Sequence, residues 1–221
     1  MERILISSFH TQLEKMHILT ATPTNIRAAS EIVKNGGLVV YPTDTVYGLG
    51  CDPLNVKAVQ RVSIAKGNRK KPLPILASSV ADLERIAQLS DVAHQIAARF
   101  WPGPLTIVVP RKAALPDIVT CDLESVGVRV PGHDIAVKLI RWSGGLLVGT
   151  SANKRGQKPA CTANEALEQV GEEVGIILDG GPAPLGEPST VVDLSRETPK
   201  ILRKGALAFE DVLEALASII H

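Results

Sequence analysis

Gly36-Gly37-Leu38-Val39-Val40-Tyr41-Pro42-Thr43-Asp44-Thr45-Val46-Tyr47-Gly48-Leu49-Gly50 reads as a strand that runs out into polar ground. Leu38 to Tyr41 is a continuous apolar run, short enough for a buried strand. Pro42 has no amide hydrogen to give a ladder, so the run ends there. Thr43, Asp44, Thr45 and Tyr47 then gather hydroxyls and one carboxylate, and Gly48 and Gly50 follow at once. Open α/β sheets bind small ligands at such carboxyl ends. The same residues equally fit an ordinary strand exit, with Thr43 and Asp44 satisfying turn amides.

Outward from this stretch, helices and strands alternate. Upstream, Thr24 and Asn25 offer an N-cap, Ile26, Ala29, Ile32 and Val33 mark a helical face, and Gly36-Gly37 ends it. Downstream, a helix is predicted over 55–65 with Val56, Val59 and Val62 inward, then a strand over 73–77. Ser79 and Asp91 cap two further helices. Strands are predicted over 105–109, 126–130, 146–149, 176–178, 190–194 and 200–203. Helical patterns cover 133–142 and 209–220, and Thr162 with Glu165 forms a capping box for another. This alternation predicts an α/β protein with one large twisted sheet. The Gly/Pro-rich stretch 180–188 reads as a loop within the domain. Residues 1–22 are set apart as an N-terminal appendage, with Arg3 to Phe9 a short extra strand and Met16 an alternative start. Residues 23–221 read as one domain.

Bulk properties narrow the classes. At 221 residues the chain can bury a core without disulfides. The net charge of +1 demands neither nucleic acid nor an anionic surface, and 3% aromatics leave few platforms for stacking bases. Cys51, Cys121 and Cys161 are odd in number and lack any CxxC spacing, against a disulfide framework or structural zinc. A reducing cytoplasm is the natural compartment. No membrane span and no signal peptide are expected.

Several strands end in similar polar residues: Thr150-Ser151-Ala152-Asn153 after 146–149, Ser189-Thr190 after the 180–188 loop, and Arg203 at the end of 200–203. Ser125 precedes the strand that carries Arg129, and Lys66 opens Lys66-Gly67-Asn68-Arg69-Lys70-Lys71-Pro72. Hydroxyls, amides and fixed cations with few carboxylates suit a polyanionic ligand. Each has a plainer reading. Lys66 to Lys71 fits a solvated loop, Arg129 an outward strand position, Ser151 to Asn153 an N-cap, and Arg203 a surface cation. The histidines show no metal spacing. Gly144 to Ser151 has P-loop spacing, but Thr150 stands where the phosphate-binding lysine belongs. No GxGxxG and no GxSxG occurs.

Seven motifs occur in order: Tyr41 to Gly50, Ala65-Lys66-Gly67, Phe100-Trp101-Pro102-Gly103-Pro104-Leu105-Thr106, Val128-Arg129-Val130-Pro131, Thr150 to Asn153, Pro188-Ser189-Thr190-Val191-Val192-Asp193 and Leu202-Arg203. Together they make the chain resemble the YrdC-like threonylcarbamoyl-AMP synthase family, from about Thr24 to Ala208. The resemblance implies a twisted mixed sheet flanked by helices around a deep positively charged cleft. It implies synthesis of threonylcarbamoyl-AMP and pyrophosphate from L-threonine, bicarbonate and ATP, with Mg2+ on the phosphates. A downstream transferase would pass the group to tRNA, and a weak contact with tRNA is also implied. Lys66, Arg129 and Ser151 would stand at the reacting centre. Lys66, Asn68, Arg69, Ser125, Ser151, Asn153 and Arg203 would surround the nucleotide. Thr43, Thr45, Arg129 and Ser189 would surround threonine.

The chain departs from the family where Lys-x-Arg is usual: it has Lys66-Gly67-Asn68, with Lys71 for a common Asn and Leu76 for a histidine found in some members. Arg69 or Lys71 is expected to replace the missing arginine. The second C-terminal domain of longer members is not expected. Two other readings stay open: a non-catalytic RNA-binding module, which the near-neutral charge disfavours, and a carbamoyl-transfer unit of the kind found in larger hydrogenase-maturation proteins.

Overall fold

The computed structural model describes residues 18–68 and 71–220. Its strands are β1 (Ile18–Thr20), β2 (Val39–Tyr41), β3 (Gly48–Gly50), β4 (Ile75–Ala77), β5 (Leu105–Pro110), β6 (Ser125–Arg129), β7 (Leu146–Val148), β8 (Thr150–Ser151), β9 (Ile176–Asp179), β10 (Thr190–Asp193) and β11 (Lys200–Arg203). The mixed α/β class expected from alternation holds, but the strands divide between two sheets rather than one. A smaller sheet is ordered β1-β9-β2-β3-β8 and a larger one β11-β10-β5-β6-β4-β7. Parallel and antiparallel pairs occur in both, for example β2 beside β9 and β3, and β6 beside β4 and β5.

The chain crosses between sheets at Gly149. β7 pairs with β4 in the larger sheet, and two residues later β8 pairs with β3 in the smaller. Leu76 occupies the space that a Cβ at 149 would need, so the crossing demands glycine.

Gly48 and Gly50, which read as part of the polar exit, belong instead to β3, antiparallel to β2. Tyr41 faces Gly48 across the pair, and its ring fills the groove that the two glycines leave. A Cβ at Gly48 would lie 2.9 Å from the ring and one at Gly50 2.8 Å. Residues 42–47 are therefore a hairpin loop braced at both ends. The Tyr41 hydroxyl donates to the Val148 carbonyl at 3.0 Å, tying the sheets together. Burial pushes that phenol's pKa well above the usual range.

Ile18–Thr20, within the stretch that reads as an appendage, is an edge strand parallel to β9. Thr22 rather than Thr24 caps the helix Pro23–Lys34, accepting from the Asn25 amide at 3.3 Å. Pro23 can open the helix because its missing amide hydrogen has no partner there anyway. The extra strand expected at Arg3 to Phe9, Met16 and Arg69 all lie outside the described residues.

Helix Val56–Ala65 buries Ala58, Val59, Val62 and Ala65, the i, i+1, i+4, i+7 stripe of a 3.6-residue period. Val56 falls off that stripe and is 44% exposed, not inward as the spacing of valines implies. A large core joins both sheets and this helix. A second core lies where helices Pro23–Lys34 and Asp134–Trp142 pack together, the first over β2 and β9 of the smaller sheet and the second over β4 and β7 of the larger, through Ile26, Val33, Leu139 and Ile140. Each such side chain contributes roughly 1.5–3 kcal/mol on burial. Among the described residues no helix is long and apolar enough to cross a membrane.

Candidate functional site

Two hollows differ in character. One of about 570 Å3 lies between helix Val56–Ala65 and the turn at 117–122, lined largely by Val59, Ile64, Leu73 and Ile118. The other, about 330 Å3, opens over the larger sheet, and the polar groups converge there. Leu76, Gly127, Arg129, Thr106, Val108, Val191 and Arg203 come from adjacent strands, while Thr45, Ser151, Pro188 and Ser189 form its walls. The smaller cleft is the candidate site, because placed donors rather than volume confer recognition.

Strand β6 shows how the sequence aims a side chain. Val126 and Val128 are buried in the core, so alternation turns Ser125, Gly127 and Arg129 to the opposite face. Arg129 is 4% exposed. Its Nε donates to the Gly103 carbonyl at 2.8 Å, one terminal nitrogen to Thr45 Oγ1 at 3.0 Å, and the other to Asp44. Burial lowers the guanidinium's pKa and Asp44 raises it again. Arginine remains charged under both influences. The outward, solvated reading of this residue does not hold.

The hairpin loop divides two jobs between its threonines. Thr43 Oγ1 donates to the Val46 carbonyl at 2.6 Å and receives the amides of Thr45 and Val46 at 3.2 and 3.3 Å. It is a turn brace behind the cleft. Thr45 meets the cleft and Arg129, and its hydroxyl lies 2.9 Å from that of Thr43. Tyr47 anchors the loop by donating to the Gly181 carbonyl at 2.7 Å, and burial pushes its pKa up to about 12.

On the opposite side, the β10–β11 register shifts between Val191 and Val192. Such a bulge re-aims the strand, and Arg203 reaches the cleft from it. Its Nε donates to the Ser189 carbonyl at 2.9 Å and a terminal nitrogen to Ser189 Oγ at 3.1 Å. Ser189 Oγ in turn lies 2.8 Å from Thr106 Oγ1.

Lys66 caps helix Val56–Ala65 and is 2% exposed. Its Nζ donates to the backbone oxygens of Ser151 at 2.5 Å and Asn153 at 2.8 Å. Ser151 Oγ donates to Asn153 Oδ1 at 2.5 Å, and Asn153 Nδ2 donates to the carbonyls of Lys154 and Gln157. Ser151 lines the cleft; Lys66 and Asn153 stand directly behind it.

The remaining expected residues sit farther off. Gly67 and Asn68 have φ of +76° and +58°. Asn tolerates this left-handed turn better than most residues, so its place here has a backbone reason, and it does not line the cleft. Lys71 lines the other hollow. Ser125 shares Arg129's strand face but lies about 13 Å away along it. Sequence reasoning missed Thr106, Gly127 and Asp44 as site residues. A threonine between Leu105 and Ile107 and a glycine between Val126 and Val128 were the available signals. For Asp44 the motif was visible but its partner, 85 residues on, was not.

The arrangement can hold an anionic group at each arginine, with an apolar floor of Leu76, Val108 and Gly127 between walls of hydroxyls. The chain is 40% identical over 199 residues to a Pyrococcus abyssi protein named threonylcarbamoyl-AMP synthase, covering 89% of this chain and 58% of that one. It is 35% identical over 208 residues to a Bacillus subtilis protein of the same name, covering 92% and 59%. It thus spans less than two thirds of the length of these curated relatives. A crystal structure of Pyrococcus abyssi Sua5 complexed with L-threonine superposes with a TM-score of 0.84 at 40% identity, over 86% of this chain and 56% of that one. The Sua5/YciO/YrdC family model, described as telomere recombination, matches residues 31–205, nearly the whole span that builds the two sheets and the cleft. The chain belongs to the Sua5/YciO/YrdC family.

Proposed function

We propose that the chain is an ATP-dependent L-threonylcarbamoyladenylate synthase, a nucleotidyltransferase that supplies tRNA modification. The observation that carries this reading is Arg129, buried beside Thr45 at the end of a cleft that, among the described residues, is lined by no carboxylate. Three of its five N–H groups are engaged, leaving one hydrogen on each terminal nitrogen for a ligand carboxylate. Thr45 and Ser189 offer hydroxyls to the same ligand. Arg203 and Ser151, with Lys66 behind, would face the phosphates of ATP, and the Val108–Gly127 floor would take the base. Together these cations make the cleft electropositive in this reading.

The reaction joins L-threonine, bicarbonate and ATP to give threonylcarbamoyl-AMP, pyrophosphate and water. Threonine's nitrogen bonds to the bicarbonate-derived carbon, and a carbamate oxygen then displaces pyrophosphate from the α-phosphorus. Threonine, bicarbonate and nucleotide all bring negative charge, so the chain's task is to align them and offset repulsion. Mg2+ would arrive on the phosphates, with water completing its shell. Among the described residues no three His, Cys, Asp or Glu side chains gather as a cage for it. The product would pass to a separate tRNA-modifying transferase. A cytoplasmic setting fits Cys51, Cys121 and Cys161, all free thiols.

The test is pyrophosphate release with ATP, Mg2+ and bicarbonate, with and without L-threonine. Threonine-dependent release is expected. No release from folded protein, beside an active relative, overturns the reading and turns attention to salt-sensitive tRNA binding.

A further inference from the structure

Asp44 is, among the described residues, the one carboxylate paired with Arg129. The Arg129 side chain is 5% exposed and that of Asp44 10%, so each charge is compensated mainly by the other. Only Oδ1 makes the pair. Oδ2 is buried without a hydrogen-bond partner. It lies against the Gly132 turn, where an added Cβ would sit 3.5 Å away. The helix Asp134–Trp142 begins just beyond that turn, and its N-terminus carries no side-chain cap. Asp44 is also held from outside, because its carbonyl accepts the Leu185 amide at 3.0 Å.

We propose that Asp44 is a positioning residue that aims Arg129 at the cleft and tempers its charge, so that a ligand carboxylate binds against Asp44's field. This rests on the reading that threonine's carboxylate meets Arg129. The Asp44–Arg129 pair is neutral by itself, and a second carboxylate makes the cluster net negative. Asp44 therefore trades affinity for a fixed guanidinium, which suits turnover better than tight ground-state binding. Asp44→Asn keeps the shape and the Oδ1 acceptor but removes the charge. Arg129 then becomes a buried cation for which the ligand's carboxylate is the available counter-charge.

The experiment measures binding of L-threonine and L-threoninamide to the native chain and to Asp44→Asn by calorimetry, with turnover alongside. Asp44→Asn is expected to bind threonine about tenfold more tightly, near the lower end of what a close buried charge pair contributes. The amide, which lacks the carboxylate, gains nothing. The kcat falls while KM for threonine does not rise. A threonine affinity that is unchanged or weaker, or an equal gain for the amide, overturns the proposal. If Asp44→Asn fails to fold alone, threonine but not threoninamide must recover folded protein; recovery by both or by neither overturns it. Should the native chain bind no threonine, the functional reading fails by itself. Acetate then decides the role of Asp44: it must raise the unfolding temperature of Asp44→Asn more than that of the native chain, and an equal rise overturns the proposal.

Discussion

Lys66 Nζ lies 2.5 Å from the backbone oxygen of Ser151, joining the end of a helix to an edge strand of the smaller sheet 85 residues later. The lysine anchors the strand that forms one wall of the cleft, and it does so from behind, through carbonyls. Lys66→Met keeps the aliphatic stem but leaves the Ser151 and Asn153 oxygens without this donor. A stability loss of about 1–3 kcal/mol is expected in urea denaturation. Pyrophosphate release should fall more than about tenfold, since misplacement at a reacting centre is costly. Full activity in this variant means that the wall needs no such anchor.

The two hairpin threonines should separate in experiment. Thr45→Val removes the hydroxyl that receives Arg129, so KM for threonine rises by about tenfold, a cost of roughly 1.4 kcal/mol, while kcat changes little. Thr43→Val removes the brace that receives two amides and donates to Val46, so it lowers stability by about 1–3 kcal/mol and disturbs kcat and KM together. Identical profiles for the two variants contradict this division of labour.

Gly149→Ala places a methyl group against Leu76 at the crossing between sheets. Overpacking of this kind costs about 1–3 kcal/mol. Leu76→Ala alone also destabilises, by opening a cavity beside the cleft. The double variant should be less destabilised than the sum of the singles, because the two changes share one space. Simple additivity in denaturant titrations excludes that contact.

Groups that burial raises make stability fall at alkaline pH, Tyr47 and Cys51 among them. Tyr47 moves from 10.0 to about 12, and Cys51 from 9.0 to about 12, each chiefly by burial. The unfolded chain loses these protons first, so it binds fewer of them than the folded chain. Stability contributed by both groups is fully present below pH 9 and is lost as pH rises from 9 toward 12. Tyr47→Phe should flatten part of that slope in unfolding measured against pH. An unchanged slope removes Tyr47 from the account.

Much of the local structure was legible because its causes are local. The capping box of Thr162 and Glu165 is present in full, with the Glu165 amide 3.2 Å from Thr162 Oγ1 and the Thr162 amide 3.3 Å from the Glu165 carboxylate. Helix Val56–Ala65 starts at Asn55, whose side chain accepts the Ala58 amide, as the sequence indicates. Caps and periodicity act within a few residues of chain, so the sequence by itself determined most of the helices and strands, but not the short strands β1, β3 and β8, which carry no such local pattern. The motif order likewise marked Arg129, Thr45, Ser151, Ser189 and Arg203, all of which line one cleft.

Only the tertiary structure decided how those strands are shared between two sheets, since pairing depends on contacts between distant segments and on volumes such as Leu76 against Gly149. It decided that Gly48 and Gly50 serve Tyr41's ring rather than a ligand. It also decided that Asp44, which the sequence shows as one polar residue in a turn, is the counter-charge of Arg129. A charge buried away from water must find its partner across the fold, and nothing in the spacing of the chain says which distant carboxylate that will be.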